Sequence, residues 1–293
     1  MRTFDYLTDP SLGSQFIAGL VAALAIALLC GVLSVLVVLK RLAFIGQGVS
    51  HAAFGGVGLA MVFGLASTEA GLGQELAMFF VVVAFCIASA LGVAWLSRED
   101  SSRADTAIGV VLAGAMAIGF LLAAHAARRA QESGELPPPS IETVLFGSFL
   151  TLGGADALIA WGCCILILGV LWWVRRPLLF ASFDEEAAIS AGLPVAKLRL
   201  LLLCLLAVAI VVTMRLAGVV LASALLVLPG AVALRLSARL WLVLTIGVVV
   251  SIFGTMGGVV LAFELDWQAG PSVAVALLAI FLCAEGARAI LTR

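Results

Sequence analysis

The chain has 293 residues, of which 64% are hydrophobic and 11% charged, with a formal net charge of −1 at pH 7. A soluble domain carries about twice that share of charged side chains, so an ordinary water-soluble fold is excluded. The near-neutral balance also leaves no basic footprint for nucleic acid.

Apolar runs long enough to cross a bilayer occupy most of the chain. Nine stretches can be drawn, at 15–39, 42–68, 76–97, 106–124, 157–174, 200–214, 216–234, 240–263 and 267–284. The run 200–214 is short and 216–234 contains Pro229 and Gly230, so eight or nine transmembrane helices are predicted. The fold class is an all-α polytopic membrane protein, with an outer segment at 1–14 and one transmembrane domain at 15–293. Asp5 and Asp9 precede the first run, and Lys40 and Arg41 follow it directly. That run is therefore expected to remain as a span rather than be removed as a signal peptide.

The second run carries the most informative residues. His51 follows Gln47 by four positions, so on a helix the two side chains share a face. Ligand-type groups inside an apolar segment mark an ion or substrate pathway by default. Ser50 and a set of small residues (Ala52, Ala53, Gly55, Gly56, Gly58) surround them, and small residues let another helix approach or leave a passage open. Two readings fit His51: a way-station for a metal ion or proton, or a histidine hydrogen-bonded to neighbouring backbone. One histidine cannot close a zinc site, which needs about four ligands. A two-fold dimer would bring two His51 and two Gln47 together.

Farther along, Asp105 caps a helix at a cytoplasmic edge. His125–Glu142 reads as a solvated outer loop, His125 as an interfacial residue, and Thr143–Gly154 as a stretch too short to span. An inner loop at Arg175–Arg199 contains a short helix opened by Asp184, Glu185 and Glu186 and closed by Gly192 and Pro194. That helix serves equally as a docking element for a soluble partner or as a connector. Glu264 and Asp266 read as a solvated outer edge, or as acids that draw cations to an entrance. Glu285 has Arg288 three residues on, at ion-pairing spacing. The six cysteines all lie in apolar runs without a CxxC pair, as small buried hydrophobes.

Twelve of the sixteen Lys and Arg residues fall at alternate ends of the runs, from Lys40 to Arg293. The other set holds Arg2, Arg128, Arg129 and Arg215. The positive-inside rule places the richer set in the cytoplasm, with the N-terminus outside and the C-terminus inside for nine spans. No GxxxxGK[ST] string is present, so ATP-driven work would need a separate ATPase. A serine hydrolase is disfavoured. Adjacent Ser50 and His51 point about 100° apart on a helix, and no GxSxG occurs.

Six strings in order carry a resemblance over residues 15–285 or so: VVLKRLAFIGQGVSHAAFGGVGLA, SRADTAIGVVLAGAMAIG, LFGSFLTL, EEAAISAGLPV, LAGVVLASALLVLPGAVALRL and AGPSVAVALLA. Together they resemble the permease subunits of ABC-type zinc/manganese importers. The resemblance implies a type II importer-like permease in the bacterial plasma (inner) membrane, not itself an enzyme. It implies two copies of this subunit, two cytoplasmic ATP-binding subunits, and an external metal-capturing protein. The cargo is then a divalent ion, zinc, manganese or iron, passing at the dimer interface, with no permanently bound cofactor. His51 carries over as metal-contacting and Ser50 as passage-lining. Arg235, Ser237 and Arg239 form the expected coupling turn to the ATPase, with Glu185 and Glu186 as an accessory contact. The chain departs from the family at Gln47, where the pattern G-D-x-x-S-H has aspartate. Gln47 keeps the position and an amide oxygen but loses the charge, so a chelated metal or another small substrate is the alternative cargo.

Overall fold

A computed structural model describes residues 13–40, 42–65, 72–96, 104–134 and 153–291, without the side chains of residues 72, 104, 215–217 and 291. All of the expected stretch Thr143–Gly154 before residue 153, the Arg98 and Arg103 loop and the Arg215 side chain lie outside what is described. Ten helices occupy the described residues: α1 (Gly13–Leu39), α2 (Ala43–Val62), α3 (Leu72–Leu96), α4 (Ala104–Ser133), α5 (Gly154–Phe183), α6 (Glu185–Ser190), α7 (Val195–Leu225), α8 (Leu228–Leu236), α9 (Leu240–Leu265) and α10 (Ala269–Leu291). Eight segments are long and apolar enough to cross a membrane. They include two from α7 and α8, because α7 breaks at Gly218, whose φ of 77° is open to glycine without penalty.

α2 is absent from those eight segments, yet its packing makes it a pass. It runs antiparallel to α3: the Cys86 thiol donates weakly to the Val49 carbonyl at 3.9 Å, and Gly56 faces Val82 and Phe85. It runs parallel to α4, with Gly48 on Ile108, Gly55 on Ala115 and Gly58 on Gly119. α1 lies antiparallel to α9, through Phe16 on Phe263 and Gly31 on Gly247. It lies parallel to α5, where Trp161 Nε1 donates to the Val21 carbonyl and Lys40 Nζ to that of Ala181, each at 3.1 Å. The chain therefore makes nine passes among the described residues. Lys40, Arg175, Arg176, Lys197, Arg199, Arg235, Arg239 and Arg288 then share one face, and Arg128 and Arg129 lie at the other, as the positive-inside rule requires. Trp95, Trp172, Trp173 and Trp241 are exposed toward the basic face and Trp267 toward the opposite one, the positions interfacial tryptophans take. Arg175 stacks on Trp172, 3.7 Å from the ring centroid.

The helix ends refine the sequence reading. α4 continues through His125 and both arginines to Ser133, and stops where Gly134 takes a φ of 68°. The solvated loop expected from residue 125 is helix up to that point. Glu285 forms an ion pair with Arg235, Oε1 to Nε at 3.0 Å, tying α8 to α10. The two side chains are 35% and 51% exposed, so Arg235→Ala is expected to change stability by less than about 1 kcal/mol. Thermal unfolding of the purified protein checks this.

α6 is capped at both ends. Asp184 accepts a hydrogen bond from the Ala187 amide at 2.8 Å. At the other end the amides of Leu193 and Gly192 bond back to Ala188 and Ile189, the Schellman pattern, with Gly192 at a φ of 78°. Asp184→Ala is expected to cost about 1 kcal/mol, locally, and to speed amide exchange across α6 while the spans stay protected. At the inner end of α1, burial pulls the Lys40 ammonium below its ordinary pKa. Glu185 opposes that pull and Arg199 adds to it.

Candidate functional site

The site is built on α2, which has no Asp, Glu, Lys or Arg and five glycines. Those glycines let α2 sink between α3, α4 and α7, and most of its surface is buried. A narrow stripe stays open on the inner half. Phe44 is 65% exposed, Gln47 is exposed, and His51 is half-buried. Their spacing of three and four residues puts them on one side of the helix. Gln47 and His51 thus sit together on a surface the single chain leaves uncovered, as the sequence spacing predicts.

Ser50 lies on the other side. It is buried, and its hydroxyl donates to the Gln47 carbonyl at 2.8 Å, satisfied within its own helix. His51 Nδ1 is buried and has no hydrogen-bond partner among the described residues. A polar nitrogen left bare in an apolar setting is costly. The bland reading of His51, bonded to nearby backbone through that nitrogen, is not what the geometry shows.

No group of three or more His, Cys, Asp or Glu residues able to hold a metal ion occurs among the described residues. A single copy thus offers an imidazole and an amide, not a closed ion cage. The helices packed on α2 keep their acids at their ends: Glu75 in the first turn of α3, Asp105 and Glu132 near the two ends of α4, and none in α7. Glu75, which sequence reasoning passed over, has a buried carboxylate oxygen without a hydrogen-bond partner. The signal available was its place as an acid next to a span in a chain with few acids.

The residues expected to couple to an ATPase all lie on the basic face. Arg235 and Arg239 are exposed, and Ser237 sits between them. The Ser237 hydroxyl accepts from the Arg239 amide at 3.1 Å and shapes the turn from α8 into α9. Glu185 and Glu186 are exposed on the first turn of α6.

Residues 14–286 match the ABC 3 transport family. The manganese transport system membrane protein MntC of Halalkalibacterium halodurans is 27% identical over 282 residues, 96% of this chain and 89% of its own. A probable iron transport system membrane protein of Haemophilus influenzae is 30% identical over 281 residues, 96% of each chain. Among solved structures, PsaBC from Streptococcus pneumoniae in complex with a Fab superposes with a TM-score of 0.79 at 23% identity, covering 96% of this chain and 94% of that one.

Proposed function

We propose a function from one premise: the chain belongs to the ABC 3 transport family. It is the multi-pass permease subunit of an ATP-driven divalent-metal importer in the plasma membrane. The relatives named for manganese and iron transport support the cargo class. The observation that carries the reading is the open stripe of Phe44, Gln47 and His51 on an otherwise buried helix. A second copy placed on that stripe brings two imidazoles and two amides to one passage, a transient site for an ion in transit. Ser50 contributes by holding the Gln47 turn rather than by lining the passage.

The partners follow from the same premise: a second copy of the chain, two cytoplasmic ATP-binding subunits, and an external capture protein. Closure of the ATPases on ATP is transmitted through the turn at Arg235, Ser237 and Arg239, with Glu185 and Glu186 on α6 as the accessory contact. The Arg235–Glu285 pair links that turn to α10. Arg239→Glu is expected to lower metal-stimulated ATP hydrolysis several-fold while leaving the complex assembled, read by ATPase rate and by co-elution of the subunits.

The dimer is tested by cross-linking. With the exposed Cys283 replaced by Ser, a cysteine at position 44 is expected to cross-link two copies through a short bifunctional reagent in native membranes. A cysteine in place of the lipid-facing Leu158 is expected to stay uncross-linked. The reverse pattern would move the interface off α2. A second reading, a chelated-metal permease, draws on the neutral Gln47. It predicts transport of a metal complex and none of the free ion.

A further inference from the structure

We propose that Gln47 sets the cargo class, making the passage selective for a divalent ion that favours imidazole nitrogen, such as zinc, over manganese. The inference rests on reading the α2 stripe as the passage, and it concerns what such a passage holds at its narrowest chemistry.

Per copy the stripe offers one imidazole and one amide, and α2 carries no carboxylate at all. Among the described residues, the acids on the helices packed against α2 stand apart from His51 by register. Ile108 meets Gly48, so Asp105, three residues earlier on the parallel α4, lies about 9 Å to the cytoplasmic side of His51 and about 3 Å from the level of Gln47. Val82 meets Gly56, so Glu75, seven residues earlier on the antiparallel α3, lies about 18 Å toward the outer side of His51. Among the described residues the donors at the level of His51 are therefore neutral, and Asp105 is the acid nearest in level to Gln47.

Ligand type then decides among ions. Manganese binds by preference to anionic oxygen and water, and its affinity for nitrogen sites is the lowest of the first-row series. Zinc, nickel and copper gain more from imidazole and lose less from the missing carboxylate. His51 fits a role as nitrogen donor in a second way: Nδ1 has no partner among the described residues, so the ring's orientation is free to be set by an ion. A carboxylate at position 47 would reverse the balance by supplying the anionic oxygen that manganese needs.

The test uses the full-length permease in lipid nanodiscs. Cobalt(II) serves as the probe, its visible bands reporting nitrogen ligation, with competition by zinc and by manganese. The wild type is expected to hold zinc and cobalt about 100-fold more tightly than manganese, and Gln47→Asp to narrow that ratio by about tenfold or more. His51→Ala is expected to remove the cobalt band. An unchanged ratio in Gln47→Asp, with a band that still depends on His51, would overturn the selectivity and leave the passage standing. Loss of the band in Asp105→Asn would show a carboxylate ligand and also overturn it. No His51-dependent band in either wild type or Gln47→Asp would remove the passage reading itself. Monodisperse elution of each variant shows that it is folded.

Discussion

Gly119→Val is expected to leave little folded protein in the membrane, while Gly109→Ala, ten residues earlier on the same helix, is expected to be neutral. A Cβ added at Gly119 would sit 2.6 Å from the Phe54 ring, and 2.9 Å from both the Gly55 nitrogen and the Phe54 oxygen. The facing glycine is equally tight, since a Cβ at Gly58 would lie 2.6 Å from the Gly119 carbonyl oxygen. Two of the three contacts at Gly119 are backbone, which cannot swing aside as a long side chain can. Helices in lipid associate through close packing rather than through release of apolar surface from water. Forcing α2 and α4 apart thus removes the interaction that holds them. Overpacking costs about 1–3 kcal/mol in tolerant sites, and a valine between two backbones is expected to exceed that. Gly109 has open space where its Cβ would go, and alanine favours helix by up to about 1 kcal/mol. The comparison is read as yield and thermal midpoint after size exclusion. Equal behaviour of the two variants would contradict the α2–α4 packing.

His51→Ala is expected to lower divalent-metal uptake by about 100-fold or more at equal protein level. The imidazole is the strongest neutral donor on the open stripe, and removing it leaves only amide oxygen. His51→Gln is expected to recover little, since it repeats the donor that Gln47 already supplies. The ligand must be neutral to bind a metal. Proton and ion therefore compete, and uptake is expected to fall as pH drops through the histidine titration. In His51→Ala that pH dependence is expected to vanish from the residual uptake. Normal uptake by the alanine variant would place the passage elsewhere.

The number of passes was readable to within eight or nine from run length and charge alternation, because a bilayer demands about twenty apolar residues per helix and sorts basic ends to one side. α2 shows what composition measures and what it does not. Gln47, Ser50, His51 and the glycines dilute its hydropathy, so it is missing from the eight apolar segments. Its burial shows that it needs no apolar surface toward lipid, being wrapped by other helices. The pairing of Gln47 with His51 was legible because four residues is one helical turn. The inward turn of Ser50 was not, since its hydroxyl answers to a carbonyl of its own helix. The extension of α4 past His125 was hidden by charge: AARRAQES looks like a loop, but it is made largely of good helix formers, and Gly134 ends it. The ion pair of Glu285 with Arg235 was hidden for a different reason. Spacing offers Arg288, and the packing of α8 on α10 adds Arg235.

The measurement that bears most directly on the account is ATP hydrolysis by the complex of this permease with its ATP-binding subunits, reconstituted in lipid. Zinc, manganese and iron are each presented with and without the external capture protein. Stimulation by at least one ion, dependent on the capture protein and absent in His51→Ala, is the predicted result. A complex that assembles and hydrolyses ATP at the same rate with every ion, and with or without His51, would contradict it.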